Sequence, residues 1–600
     1  MDNNLIRKDQ LYLGKVVSEG KLGEPFFLKT SDLTTHAICI GMTGSGKTGL
    51  CIDLLEELAL NGVPIIIIDP KGDLCNLAFQ FPDLAPEDYL PIINESQAEA
   101  EGVTKEVYAE KIAKRWREGL LNWGIDKERI LKLKERSELR IFTPGSRGGT
   151  PLNLLSDLNK DSSLDFDIDS EAIFEKIKGL TLALLNLIGF EDIDLTDKNY
   201  LLLLNIFEWC WKNDESLDLV KLIKYIITPP FSKLGVMDIE SIFSKDKRED
   251  FAIKINALIA NPSFKVWLEG FPMEIKKLLK TESGKPSISI IYTAHLKKNE
   301  KMFVTTILLY NIISWMHSQS GSGRLRAYLY FDEVFGYLPP YPKNPPTKEP
   351  LLTLLKQARA FGLGVHLTSQ NPMDIDYKAF TNAGVWMIGK LQTENDKERL
   401  LDGLKKETDI DDTSNKTISS QISRLRKREF IIKNIHTEKI EIVNSRWAIS
   451  YLKGPLTLRD IKNLKMKSDE PVNQIKHKVS ETTESGDLIH IRPNVNSAIE
   501  HKYLSAAPDE GKDIFYYPDL YFKVKVIFDS KRPLIFEQKE FLVTVDASKD
   551  SDFSAFEFSL NASIDEGTAI QEYPYYPLSD KLKKAAFVKV LKSQVNSDLI

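Results

Sequence analysis

The stretch HAICIGMTGSGKTGL, residues 36–50, decides the fold. A short apolar run, AICI, stops at Gly41. A glycine-rich turn follows and ends in Lys47 and Thr48. Apolar residues then return at helical spacing, with Leu50, Leu54, Leu55 and Leu58 on one face. Strand, glycine turn and helix in that order make a phosphate-binding loop. Glycine lets successive backbone N–H groups converge on a β-phosphate. The helix N-terminus adds favourable potential for the same anion. Lys47 then bridges the β- and γ-phosphates, and the Thr48 hydroxyl reaches Mg²⁺. Gly41, Thr43, Gly44, Ser45, Gly46, Lys47 and Thr48 are the expected nucleotide contacts, with ATP and Mg²⁺ as ligands.

Outward from this turn, IIIIDPKGDL (65–74) reads as a second strand, apolar on both faces, as in a parallel sheet. Residues 81–285 read as a mainly helical insertion. The β/α rhythm resumes with PSISIIYTAHL, RAYLYFDE, GVHLTSQ and GVWMIGKL. The expected class is α/β, a parallel-dominated sheet with a large helical insertion. The expected divisions are an N-terminal β lead-in (1–36), a core in two parts (37–80 and 286–461, the second ending in a brace), a polar linker (462–515) and a small β-rich module (516–600). Alternation in YFKVKVIFD and KEFLVTVDA suggests that last module.

Composition bounds the function. Six hundred residues exceed one hydrophobic core. No run approaches the roughly 20 apolar residues of a membrane helix, and MDNNLIRKDQ lacks the apolar stretch of a signal peptide. Four cysteines without metal-ligand spacing fit a reduced, cytoplasmic protein. A net charge of −6 excludes global attraction to nucleic acid, so any such contact needs a local basic surface.

Two strands end in acid, at Asp69 and at Asp332-Glu333. Hydrolysis needs a carboxylate for the metal and a second group for the attacking water. Only the second strand offers adjacent carboxylates, so Asp332 is expected to serve Mg²⁺ and Glu333 to face the γ-phosphate. Asp69 is expected to be structural. The strand ending LTSQ places Gln370 where an amide senses the γ-phosphate. The Asn-Lys pairs do not form the base-reading motif of GTPase switches. Adjacent acids on one strand and a glutamine on another point to a RecA-like motor.

Together, HAICIGMTGSGKT, IIIIDPKGDL, YLYFDEVFGYLPP and KQARAFGLGVHLTSQNP resemble the HerA/FtsK class of DNA-pumping ATPases, over about residues 10–460. The layout resembles bacterial HerA-like proteins most. The resemblance implies a ring, usually a hexamer, with ATP between subunits and duplex DNA in the channel. It also implies a partner nuclease or other effector, in DNA processing or antiphage defence. Where FtsK carries an arginine after the glutamine strand, this chain has Trp386. The cation acting in trans is therefore sought among Arg359, Lys390, Arg424 and Arg426.

In such rings, loops after the acidic and glutamine strands lie near the channel. The first, residues 336–350, holds six prolines, which stiffen it, with Tyr337, Tyr341, Lys343 and Lys348. Lys343 and Lys348 are the expected nucleic-acid contacts. The alternatives are a protein-export motor of the conjugative-secretion type and an ATP-controlled scaffold for an effector.

Overall fold

The computed structural model describes residues 7–468, apart from 94, 155–157, 159, 161–164, 191–192, 392, 406–411 and 438. It also describes the strand segments 503–504, 519–531, 534–546, 557–560 and 566–567. The chain divides into two compact units, Met1–Val472 and Asn473–Ile600.

An 11-stranded sheet organises the first unit. Its strands are β1 (Gln10–Ser18), β2 (Lys21–Lys29), β3 (Ala37–Ile40), β4 (Ile65–Asp69), β5 (Glu138–Phe142), β6 (Ser287–Tyr292), β7 (Ala327–Phe331), β8 (Leu363–Ser369), β9 (Val385–Ile388), β10 (Glu429–Asn434) and β11 (Ile440–Ser445). The spatial order is β2-β1-β11-β10-β9-β3-β8-β7-β4-β6-β5. From β9 to β5 every pairing is parallel; from β9 to β2 every pairing is antiparallel. The parallel strands inside the edge strand β5 are buried on both faces, which is why β4 reads as an unbroken apolar run. Ile66 and Ile68 of β4 join the core on one face, and Ile65 and Ile67 join the core on the other.

Helices cover both faces. Helices α1 (Lys47–Leu60), α2 (Lys105–Asn122) and α3 (Lys127–Arg136) pack on one. On the other lie α4 (Ser170–Leu187), α5 (Lys198–Lys212), α6 (Leu219–Ile227), α7 (Lys245–Ala260), α8 (Lys298–His317) and α9 (Lys348–Gln357). Helices α4 and α8 touch closely: a Cβ on Gly179 would lie 2.3 Å from the Tyr310 Cβ. The helical stretch expected at 81–285 also contains β5, which pairs with β6 and forms the sheet's edge. A five-residue strand among long helices is a weak periodic signal, and its pairing is non-local. No described helix is long and apolar enough to cross a membrane.

In the second unit, β12 (Asp519–Lys531), β13 (Leu534–Asp546) and β14 (Glu557–Leu560) form an antiparallel sheet. Most of the polar linker expected at 462–515 lies outside the described residues.

Candidate nucleotide site

The strand order brings the motifs together. Strand β8 lies between β3, which carries the glycine turn, and β7, which carries the acids. These strands are parallel, so their C-terminal ends share one edge, with β4 beside β7.

The turn Gly41–Thr48 is held from three sides. Gly41 N–H donates to the Ser369 carbonyl (3.3 Å), and Met42 N–H to the Lys390 carbonyl (2.9 Å). The Ser45 carbonyl accepts from Arg428 N–H at 2.8 Å. Gly44 and Gly46 have φ of 83° and 98°, and Gly46 is the residue before α1. Side-chain-bearing residues resist that backbone. A Cβ on Gly46 would also sit 3.0–3.3 Å from atoms of Arg428. Lys47 is buried, yet its Nζ has no hydrogen-bond partner; the nearest carboxylate oxygen, on Glu333, is 3.9 Å away. A buried ammonium without a bonded partner is costly, and an anion of the size of a phosphate in the turn would satisfy it. Thr48 is the second residue of α1.

Asp332 is buried just past the end of β7. Its Oδ1 accepts from the Tyr330 hydroxyl and from the Thr368 hydroxyl, each at 3.1 Å. Thr368 Oγ1 in turn accepts from Glu333 N–H at 2.9 Å. One hydroxyl thus positions both acids, donating to one and accepting from the other. Glu333 has φ of 53°, an uncommon backbone for a side-chain-bearing residue. Its Oε2 lies 2.9 Å from Lys71 Nζ. Its Oε1 accepts from Ser369 Oγ (3.3 Å) and from Gln370 N–H (3.4 Å). Burial alone would raise its pKa; the ammonium groups of Lys47 and Lys71 outweigh this and hold the carboxyl below its usual range. Gln370 reaches the turn directly: Thr43 Oγ1 donates to its Oε1 at 2.7 Å.

Asp69 has a different environment. Its Oδ1 accepts from Lys71 N–H (3.2 Å) and Gly72 N–H (2.6 Å), and its Oδ2 from Leu74 N–H (3.0 Å). It ties the turn after β4. Burial and the Asp332 carboxylate push its pKa up to about 7.

The outer candidates separate. Lys348 was expected on a polymer-facing loop, but it is buried, 2.7 Å from Asp376 and 3.3 Å from the Lys343 carbonyl. Its charge is neutralised inside the fold because it opens α9 rather than extending the loop. Lys343 and Tyr341 remain exposed, while Tyr337 is buried. Arg359 is exposed in the turn that precedes β8. It therefore lies at the opposite sheet edge, a seven-residue strand away, roughly 20 Å. Arg424 and Arg426 are exposed just before β10, on the same edge as the glycine turn. Trp386 is buried and stacks on Phe380.

Residues from distant motifs complete the site. Lys71 and Thr368 stood inside quoted motifs without an assigned role. Arg428 sits beneath the turn with its guanidinium over the rings of Trp123 and Trp447, 5.7 and 5.2 Å from their centroids. The fold also gathers Cys39, Cys51 and His366 with ligand atoms within 4.8 Å of one another, fully buried behind the turn. Their separation in sequence hid that grouping.

Residues 11–140 match the family model of the HerA helicase central domain. A segment of 80 residues is 35% identical to the type 4 coupling protein DotL of Legionella pneumophila, spanning 13% of this chain and 10% of that protein. The bacterial conjugative coupling protein TrwB is similar at 13% identity, over 75% of this chain and 93% of that one, with a TM-score of 0.43. VirB4 of Thermoanaerobacter pseudethanolicus is similar at 12% identity, over 74% and 98%, with a TM-score of 0.44.

Proposed function

We propose, from a core that is of the HerA/FtsK class of P-loop ATPases, that this chain is an ATP-driven ring motor acting on duplex DNA. The observation that carries the ATPase step is the alignment of turn, acids and glutamine along one sheet edge, with β8 between β3 and β7. Backbone N–H groups of the glycine turn and Lys47 hold the phosphates. Thr48 and Asp332 would hold Mg²⁺, which supplies charge neutralisation at the β- and γ-phosphates when bound. Glu333 orients the attacking water, and Gln370 couples the γ-phosphate position to the loop after β8. Lys71 is engaged with Glu333, and further positive charge on the γ-phosphate comes from a neighbouring subunit. Arg359, at the far edge, suits that role because it cannot reach the site of its own chain. A hexameric ring follows from this reading, with a nuclease or other effector as partner.

Exposed Lys343 beside Tyr341 in the proline-rich loop supports the DNA contact; Lys348 is not part of it. With net charge −6, binding depends on such local cations and weakens with salt, by a slope of about −0.9 per phosphate contacted. The 80-residue likeness to a type 4 coupling protein supports a second reading, a motor coupled to secretion.

The test measures ATP turnover with and without duplex DNA, alongside particle mass by light scattering. Duplex is expected to stimulate turnover of a particle about six chains in mass. Lys343→Ala should weaken duplex binding and flatten the salt slope while turnover without DNA persists. An assembled, ATP-hydrolysing ring that ignores DNA at low salt would transfer preference to the secretion reading.

A further inference from the structure

Glu333 is held too well for a residue that must orient water. Its Oε2 is 2.9 Å from Lys71 Nζ and 3.9 Å from Lys47 Nζ. Its Oε1 faces Ser369 Oγ at 3.3 Å and Gln370 N–H at 3.4 Å. Its backbone is pinned as well, because Glu333 N–H donates to the Thr368 hydroxyl and Val334 N–H to the Thr368 carbonyl (2.9 Å). A carboxylate that positions a nucleophilic water needs a free lone pair facing the phosphate. Here the donors that already face both oxygens, the Lys71 ammonium above all, compete with a water for those lone pairs.

The two cations differ in what phosphate does to them. Lys47 leads α1 out of the glycine turn, so bound phosphates draw its ammonium away from Glu333. Lys71 stands in the turn after β4, its N–H fixed by Asp69. Its side chain is 37% exposed against 12% for Glu333. A flexible stem with that exposure can swing, whereas the carboxylate cannot.

We infer that Lys71 is a positioning residue that clamps Glu333 in the resting site and releases it when its exposed stem swings away with the turn after β4. The inference rests on the ATPase reading above. Lys71 then governs when hydrolysis starts, acting through Glu333. The turn after β4 becomes the element through which movement at that edge of the sheet, such as a neighbouring subunit docking, reaches the chemistry.

The experiment compares Lys71→Met, Lys71→Gln and Lys71→Arg in the full chain. Removing the clamp should raise turnover in the absence of DNA by about two- to fivefold, the size expected for releasing a partly exposed ion pair. Lys71→Arg should return the rate toward wild type. Binding of Mg·ATPγS is measured in the Glu333→Gln background, where Lys71→Met should cause no further change because the clamp's partner is already neutral. Unchanged or reduced turnover in folded Lys71→Met and Lys71→Gln would overturn the clamp. So would a loss of ATPγS affinity on Lys71→Met that is as large in the Glu333→Gln background as in the otherwise wild-type chain, which makes Lys71 a direct phosphate ligand. Wild-type protein that turns over no ATP, or Lys47→Ala that turns it over normally, removes the ATPase reading itself and the clamp with it.

Discussion

At the scale of single residues, two acids at the ends of neighbouring strands do different work. Asp69 uses its carboxylate on three backbone N–H groups of one turn. Glu333 faces side chains from three separate segments. Glu333→Gln should therefore keep Mg·ATP binding and lose at least about 10²-fold in turnover, as expected for removal of a proton-accepting group. Asp69→Asn should cost about 1–3 kcal/mol of stability through poorer acceptance of those N–H groups, with turnover per folded molecule reduced only severalfold. Steady-state ATPase and denaturant unfolding of both variants decide this, and the reverse pattern would move the catalytic acid to β4. The sequence identified the adjacent acids because adjacency is a local property. It left Lys71 unassigned because its partner lies 262 residues away, and only the pairing of β4 with β7 brings the two together.

Among the elements, α1 is where local pattern and tertiary structure part company. Its leucine face was legible from spacing. Asp53, Glu56 and Glu57 on the same helix are also buried. Arg446, itself buried, lies 3.4, 2.9 and 3.1 Å from their respective carboxylates. Arg129 of α3 pairs with Glu57 at 2.5 Å. The Ile449 and Ser450 N–H groups donate to Glu56 at 3.0 and 2.8 Å. The segment after β11, read from sequence as a packing brace, thus locks the helix that carries Lys47 at its first position. Removing one partner of such a network leaves buried charge uncompensated, at a cost of about 3–5 kcal/mol. Arg446→Met should lower the urea midpoint accordingly, and adding Glu56→Gln should recover part of the loss. An unchanged midpoint would mean that water already reaches these carboxylates.

For the molecule as a whole, the sheet's centre sets an acid limit. His36 leads into β3 and is buried, with its Nδ1 accepting from Val365 N–H of β8 at 3.2 Å. Burial, helped by the Arg359 guanidinium, lowers its pKa to about 4. The folded chain thus favours neutral imidazole. The stability this contributes is complete above the unfolded value of 6.5 and is lost as pH falls from there toward 4. The loss amounts to about 3 kcal/mol. Urea unfolding between pH 7 and 4 should show this slope, and His36→Asn, which keeps an acceptor without a titrating ring, should flatten it. Equal slopes in both proteins would place the acid sensitivity in the carboxylates around α1 instead.

Residues 36–50 determined a great deal by themselves. Glycines with no β-carbon, a lysine and threonine at fixed spacing, and an apolar run on each side suffice for a strand, a phosphate turn and a helix, because all the forces involved act within a few residues. Unbroken apolar strands likewise announced a sheet covered on both faces. Tertiary structure decided what those local units meet. It put β8 between β3 and β7, so that Thr368 holds both acids. It drew β5 out of a helical stretch to the sheet's edge, and it buried Lys348 against Asp376 instead of leaving its charge on a loop. Each of these depends on contacts between segments distant in the chain. Strand order and the pairing of buried charges come from packing the whole sheet, and residue spacing carries no record of them.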